Sequence, residues 1–339
     1  MVNLCIDMII IRTPFRISFF GGGTDYPVYY DNHGGGVVLS TSINKYCYIT
    51  CRYLPPFFEH KYRIVWTKAE SVKEIEEIQH PAVRAGLKFF NIQDGVEIHH
   101  DGDLPARTGL GSSSSFTVGL VHALHALKGE MINKRQLALE AIHLEQEVMK
   151  ENVGCQDQVV AAFGGFNKIE FGGPHKITVC PMPMSSERQD LFQKHLMLFF
   201  TGFSRTASEI AAEQIKNTPQ KTSELKALHG MVEEAIKILN GNGPLDDFGK
   251  LLDESWKIKK SLSSQISNSR IDEIYAAAKS AGALGGKLLG AGGGGFILFF
   301  VKPEFQPQLR EKLKNLLYVP IKFENLGSQM IYYGPERNF

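Results

Sequence analysis

Two hydrophobic periods divide the chain. "MIIIRTPFRISFF" is β-branched and aromatic and stops at Gly21-Gly22-Gly23, which predicts a strand running into a loop. "GGGVVLSTSINKYCYITCRYL" is again β-rich, and the alternation within "KYCYITCRY" predicts a half-buried strand. "YRIVWT" and "GVEIHHDGDLP" add two shorter strands. Helices are predicted over 71–90 and 112–127. Leu137, Ala141, Leu144 and Val148 then recur at the spacing of one buried helical face, with Asn133 as its cap.

"CPMPMSSERQD" is a Pro- and Ser-rich break, and it sets a predicted boundary between units 1–185 and 186–339. Beyond it the pattern predicts a strand at "HLMLFFT" and helices near 206–217, 221–240, 245–262 and 271–281. A strand at "FILFFV", a helix near 306–317 and strands at "VPIKFEN" and "SQMIYY" close the chain. Strands and helices mix without a regular βαβ rhythm, which predicts an α+β fold. With 339 residues the chain exceeds what one core usually organises, so two domains are expected.

Composition narrows the class. At 43% hydrophobic and 22% charged, with a formal net charge of +1, the chain reads as a globular enzyme or binding protein with no nucleic-acid or anionic-membrane partner. Five cysteines, none in a CxxC pair, argue for reduced thiols in a cytoplasmic protein. The start has its basic residues after the apolar stretch, the wrong order for a signal peptide. His99, His100, His122 and His125 lack metal-ligand spacing and read as structural or surface groups.

Four segments carry candidate chemistry. "DLPARTGLGSSSSFTVGL" places Gly109 and Gly111 before a helix whose first-turn N–H groups and dipole suit phosphate oxygens. It reads equally as a Ser-rich helix cap, and it lacks the lysine of a Walker A loop. "GAGGGGFILFFV" contains GxGxxG at Gly290, Gly292 and Gly295 but precedes a strand, which excludes a dinucleotide fingerprint. Its glycine density suits backbone passing close to a ligand or another loop. "RTPFRISFFGGGTDYP" puts Thr24-Asp25 after a glycine turn, and "ENVGCQDQVVAAFGGF" puts Asp157 at the head of a helix. As residues alone, both acids read as turn-former or cap.

In this order the four segments resemble the GHMP kinases, with "PARTGLGSSSS" the most specific of them and the match running over residues 12–297. The resemblance implies a two-domain GHMP kinase fold: a ribosomal protein S5 domain 2-like N-terminal domain and a ferredoxin-like C-terminal domain. It implies Asp157 as catalytic base and Arg16 as the group that orients it. Pro105, Gly109, Leu110, Gly111, Ser112, Ser113 and Ser114 would bind ATP. Gly22, Gly23, Thr24 and Asp25 would bind substrate, with Gly292, Gly293 and Gly294 closing over it. Mg²⁺ would be the cofactor, held by Ser113 and by a glutamate, either Glu145 or Glu147. Two residues apart on a helix these point about 200° from each other, and spacing to Asp157 favours Glu147.

"RISFFGGGTDYP", "TGFSRTASEI" and "ENVGCQDQ" resemble the branch of heptose 7-phosphate and fucose kinases within that family. The resemblance implies transfer from ATP to the anomeric hydroxyl of D-glycero-D-manno-heptose 7-phosphate, in nucleotide-activated heptose biosynthesis. The partners are then ATP and a sugar phosphate, and a homodimer is compatible with it. Arg205, Lys45, Arg52 and Arg107 are candidates for the 7-phosphate. The alternatives are an L-fucose, galactose or mannose 1-kinase, or a catalytically inactive binding regulator on the same fold.

Overall fold

The computed structural model describes residues 8–172, 177–203 and 207–334. In chain order the first part comprises β1 (Met8–Phe20), α1 (Pro27–Tyr30), β2 (Gly36–Tyr53), β3 (Tyr62–Val65), β4 (Ala69–Val72), α2 (Pro81–Phe89), β5 (Val96–Gly102) and α3 (Ser112–Leu127). It continues through α4 (Lys134–His143), a π-helical turn (Leu144–Val148), α5 (Gln156–Phe163), β6 (Phe166–Phe171) and β7 (Ile177–Pro181). The second part runs α6 (Ser186–Lys194), β8 (Leu196–Phe200), α7 (Ala207–Asn217), α8 (Thr222–Asn240), α9 (Asp246–Ser261), α10 (Ser269–Ser280), β9 (Ala283–Leu288) and β10 (Phe296–Val301). It ends with α11 (Gln306–Lys312), β11 (Leu317–Val319), β12 (Phe323–Glu324) and β13 (Gln329–Gly334).

Two sheets result. Among the described residues the larger has nine strands, with the path β13-β1-β2-β5-β3-β4, β6 and β12 paired to β2, and β7 paired to β6. The smaller, of order β11-β8-β10-β9, is antiparallel throughout. The fold is α+β, as the unrhythmic pattern predicted. α3 packs across β1 and β2 and is buried over most of its length, which is why its sequence is apolar all round rather than on one stripe. The two layers meet in a shared aromatic cluster in which Phe19 contacts Phe192 and Phe248 edge-on, each with ring centres 5.6 Å apart.

The division at 186–339 is corrected at its far end. β12 pairs with β2 and β13 pairs with β1, so the last described strands return to the first sheet. Strand "ALGGKL" (β9) and strands β6 and β7 escaped the pattern reading. Gly285 and Gly286 hide β9; a side chain on Gly285 would collide with the backbone of Gly249 in α9. The predicted helix 71–90 is instead the short strand β4, a turn and α2. Asn133 does cap α4, accepting from the Gln136 N–H.

Candidate active site

Strand β1 carries Arg16 into the junction of the two layers. Its backbone N–H donates to the carbonyl of Leu110 at 3.0 Å, tying β1 to the glycine–serine loop. Its guanidinium donates twice to Asp157, Nε to Oδ1 and Nη2 to Oδ2, both at 2.7 Å, while Nη1 donates to the carbonyl of Gly109 at 2.6 Å. This planar two-point match is the geometry that distinguishes arginine from lysine. Arg16 is 5% exposed and Asp157 24%, so one face of the carboxylate stays open.

Asp157 lies in the first turn of α5, where the helix dipole favours an anion. Asp25 holds that turn in place. Its carbonyl accepts from the Cys155 N–H, Oδ2 from the Gln156 N–H and Oδ1 from the Gly23 N–H. Asp25 is buried, and that burial, with the charge of Asp157 second, raises its pKa.

The glycine–serine loop lies against the ion pair. Gly111 precedes α3 with φ 74°, and a Cβ there would sit 3.1 Å from Arg16 Cγ and 3.3 Å from Asp157 Oδ2. No side chain among the described residues caps α3, which leaves its first-turn N–H groups without a side-chain acceptor. Ser112 Oγ accepts from the Arg107 N–H within the loop. Pro105 accepts from Thr108 Oγ1, and Leu110 is buried. Ser113 is exposed, whereas the Ser114 hydroxyl turns inward to donate to Glu145 Oε2 at 2.9 Å.

The metal set needs a correction at Glu147. The π turn at Leu144–Val148 holds one extra residue, closed by the Met149 N–H donating to the Leu144 carbonyl. Val148 therefore leaves the buried face and is 41% exposed. Glu147 points to solvent and pairs with Lys150 at 3.3 Å. Glu145 is the inward glutamate, 2% exposed, accepting from Ser114, from Thr117 Oγ1 and from Gln158 Nε2. Burial, only partly offset by those donors, raises its pKa to about 7. Among the described residues no cation pairs with this buried carboxylate, which accepts directly from the Ser114 hydroxyl next in chain to Ser113, and such a set fits Mg²⁺. That ion needs only one or two carboxylates when phosphate oxygens and waters complete its shell.

The expected substrate residues divide. Thr24 is corrected: it is fully buried, and its hydroxyl bonds with the Gly21 and Val37 carbonyls and the Val37 N–H, so it stitches the turn. Gly292 and Gly294 are corrected as well. They abut Ile266 and Phe203, and Gly293 donates to the Ile266 carbonyl, so the loop's middle is packed against the chain's own backbone and side chains. Its ends make the contact instead: Gly290 touches Gly109, Gly295 abuts the Thr108 carbonyl, and Phe296 N–H donates to that carbonyl at 3.0 Å. Gly22 has open space bounded by Ser18 and Gln156, and Gly23 borders a small cavity also lined by Tyr26, Lys221 and Leu225. Arg205 lies outside the described residues. Arg52 is committed to Glu97, while Lys45 and Arg107 form no side-chain ion pair among the described residues.

Four polar residues of this junction were missed. The side chains of Ser18 and Gln156 flank Gly22, and Ser18 Oγ and Gln156 Oε1 are buried without a hydrogen-bond partner among the described residues, an arrangement a ligand hydroxyl would satisfy. Lys259 and Lys287 are buried amines, donating to the carbonyls of Gly290 and Phe19. Their signal was available: Lys259 falls one turn beyond Ser255 and Trp256 on the buried face of α9, and Lys287 sits inside an apolar strand.

The models for the GHMP kinases N terminal domain and the GHMP kinases C terminal match residues 73–165 and 225–319, together more than half the chain. The chain belongs to the GHMP kinases. This kinase is 29% identical over 320 residues to the D-glycero-alpha-D-manno-heptose 7-phosphate kinase of Campylobacter jejuni, covering 90% of this chain and 92% of that one. It is 26% identical to the L-fucokinase/L-fucose-1-P guanylyltransferase of Bacteroides fragilis, of which the match covers 35%. In fold it is similar to a D-glycero-D-manno-heptose 1-phosphate kinase from Bacteroides thetaiotaomicron, with a TM-score of 0.73 and 24% identity over 96% of this chain and 99% of that one. No helix among the described residues is long and apolar enough to cross a membrane.

Proposed function

We propose that this kinase transfers the γ-phosphoryl group of ATP to the anomeric C1 hydroxyl of D-glycero-D-manno-heptose 7-phosphate, giving the 1,7-bisphosphate. The observation that carries the chemistry is the Arg16–Asp157 pair held against the uncapped head of α3. Asp157 accepts the proton of the attacking hydroxyl. The hydroxyl oxygen forms a bond to the γ-phosphorus as the bond to the β-phosphate oxygen breaks, and ADP leaves. Arg16 aims Asp157 through two hydrogen bonds, and the α3 N–H groups hold phosphate oxygens. Positioning and charge neutralisation do most of what such a transfer requires. Ser113 and Glu145 would hold Mg²⁺, which when bound neutralises phosphate charge.

The acceptor assignment is supported by the likeness to the heptose 7-phosphate kinase over nearly the whole chain. The Ser18 hydroxyl beside Gly22 and the amide of Gln156, whose Oε1 has no partner among the described residues, fit a polyhydroxyl ligand; Lys221, which lines the cavity at Gly23, is already paired with Glu224 at 2.9 Å. The domain junction is thus the proposed catalytic cleft. A second reading, an L-fucose 1-kinase, draws on the fucokinase relatives. ATP consumption against heptose 7-phosphate, unphosphorylated heptose, fucose, galactose, mannose and mevalonate tests both, with phosphorus NMR locating the new phosphate. Turnover with a neutral sugar in preference to heptose 7-phosphate would remove the first reading. ATP binding without turnover of any acceptor would leave a binding regulator.

A further inference from the structure

Lys259 is a charge that the reading above leaves unused. Helix α9 buries Leu252, Ser255 and Trp256 along one face, and Lys259 continues that face, so its ammonium enters the interior. It is 9% exposed. Its Nζ donates to the Gly290 carbonyl at 2.5 Å, and among the described residues no carboxylate lies within the 4.0 Å of an ion pair. An ammonium has three donors, and the described residues engage one.

The charged groups facing it come from four elements: Arg16 of β1, Asp25 of the turn after β1, Asp157 of α5 and Lys287 of β9. Asp157 is already bonded twice to Arg16, and Asp25 is occupied by two backbone N–H groups. Lys287 donates to the Phe19 carbonyl at 2.8 Å, and burial drives it toward the neutral form. Lys259 is therefore a cation with open donors among the described residues, buried within reach of the Arg16 charge. Such a charge is costly unless an anion joins it. Position identifies the anion. The Gly290 backbone that Lys259 holds rests on Gly109, whose carbonyl accepts from Arg16. Lys259, Arg16 and the head of α3 converge where a phosphoryl group must pass to reach a hydroxyl at Asp157.

We infer that Lys259 is a further catalytic residue of this kinase, its ammonium binding the γ-phosphoryl oxygens of ATP across from Arg16 during transfer. The inference rests on the phosphoryl-transfer reading and is independent of which sugar accepts. Burial, with the Arg16 charge second, lowers the Lys259 pKa to about 8 in the free protein. A bound phosphoryl group raises it again.

The test is calorimetric binding of Mg-ATP and Mg-ADP to the full chain without acceptor, in wild type, Lys259→Met and Lys259→Arg. Mg-ATP is expected to bind more tightly than Mg-ADP in wild type. That preference falls about tenfold or more in Lys259→Met, returns in Lys259→Arg, and leaves Mg-ADP affinity unchanged, while kcat in Lys259→Met falls about 10²–10³-fold. Wild type alone supplies a second readout should a variant misfold. Because burial lowers the Lys259 pKa, Mg-ATP binding between pH 8 and 9 should take up more proton than Mg-ADP binding, read from buffers of different ionisation enthalpy. An unchanged preference in Lys259→Met, equal proton uptake for both nucleotides, or a loss confined to the acceptor KM would each overturn the inference. A wrong sugar assignment would instead appear as turnover with another acceptor and leave these outcomes intact.

Discussion

Replacing Gly111 by alanine measures how closely the phosphate loop must lie against the Arg16–Asp157 pair. Gly111 and Gly129 flank the two ends of α3 with nearly equal φ, 74° and 73°. A methyl on Gly129 meets nothing within 4 Å, whereas one on Gly111 sits 3.1 Å from Arg16 Cγ and 3.3 Å from Asp157 Oδ2. Both substitutions carry the same left-handed strain, about 1 kcal/mol. Only Gly111→Ala adds crowding, because carbon contacts prefer about 3.5–4.0 Å. Arg16 and Asp157 must then yield by a few tenths of an ångström while held by two 2.7 Å bonds. That adds about another 1 kcal/mol. Gly129→Ala should lose about 1 kcal/mol and keep full kcat. Gly111→Ala should lose about 2 kcal/mol and about 10–100-fold in kcat, since small misplacements of reacting groups are expensive. Denaturant melts and ADP release at saturating ATP and acceptor give both numbers. A Gly111→Ala kcat within about twofold of Gly129→Ala would refute contact between the loop and the reacting groups.

Asp157→Asn strands the buried Arg16 guanidinium and should cost about 3 kcal/mol with a fall in kcat of about 10²–10⁴-fold; a folded variant with full turnover would exclude Asp157 as base. Thr24→Val leaves the Gly21 and Val37 groups without a hydroxyl and should lose about 2–3 kcal/mol with acceptor KM unchanged; raised KM at unchanged Tm would restore Thr24 as a sugar ligand. Glu145 is pushed up from 4.5 to about 7, so the folded protein keeps a proton that the unfolded chain releases. Metal-free stability should accordingly fall as pH rises from 4.5 to about 7 and stay low above it, and a metal-free Tm that is flat over that window would contradict the assignment. Glu145→Gln should stabilise the metal-free protein at pH 8 by on the order of 3 kcal/mol, lose that advantage below pH 4, and abolish any Mg²⁺-dependent gain in Tm. Glu147→Ala, at an exposed Lys150 pair, should change neither by more than about 0.5 kcal/mol.

What the sequence made legible depended on how local each signal was. Arg16, Gly111 and Asp157 each stand in a short segment whose turn chemistry and helix start are written within about ten residues, and the structure brings all three together. Glu145 was placed second to Glu147 because the reading assumed regular helical winding. The π turn changes the rotation per residue, and nothing in "LEQEV" announces it. Strands β12 and β13 were visible as strands, yet their partners Ser42–Ile43 and Met8–Arg12 lie about three hundred residues away, and period-two patterning names a face without naming a neighbour. Lys259 belongs to the same class. Its helical spacing puts it on the buried face of α9, but only the cleft's other residues, drawn from β1, α5 and β9, turn a buried lysine into an open cation. A charge that is expensive where the free chain leaves it and cheap once a ligand arrives is a property of the assembled junction. The sequence can flag such a residue as anomalous for its face, and the structure then supplies the reason.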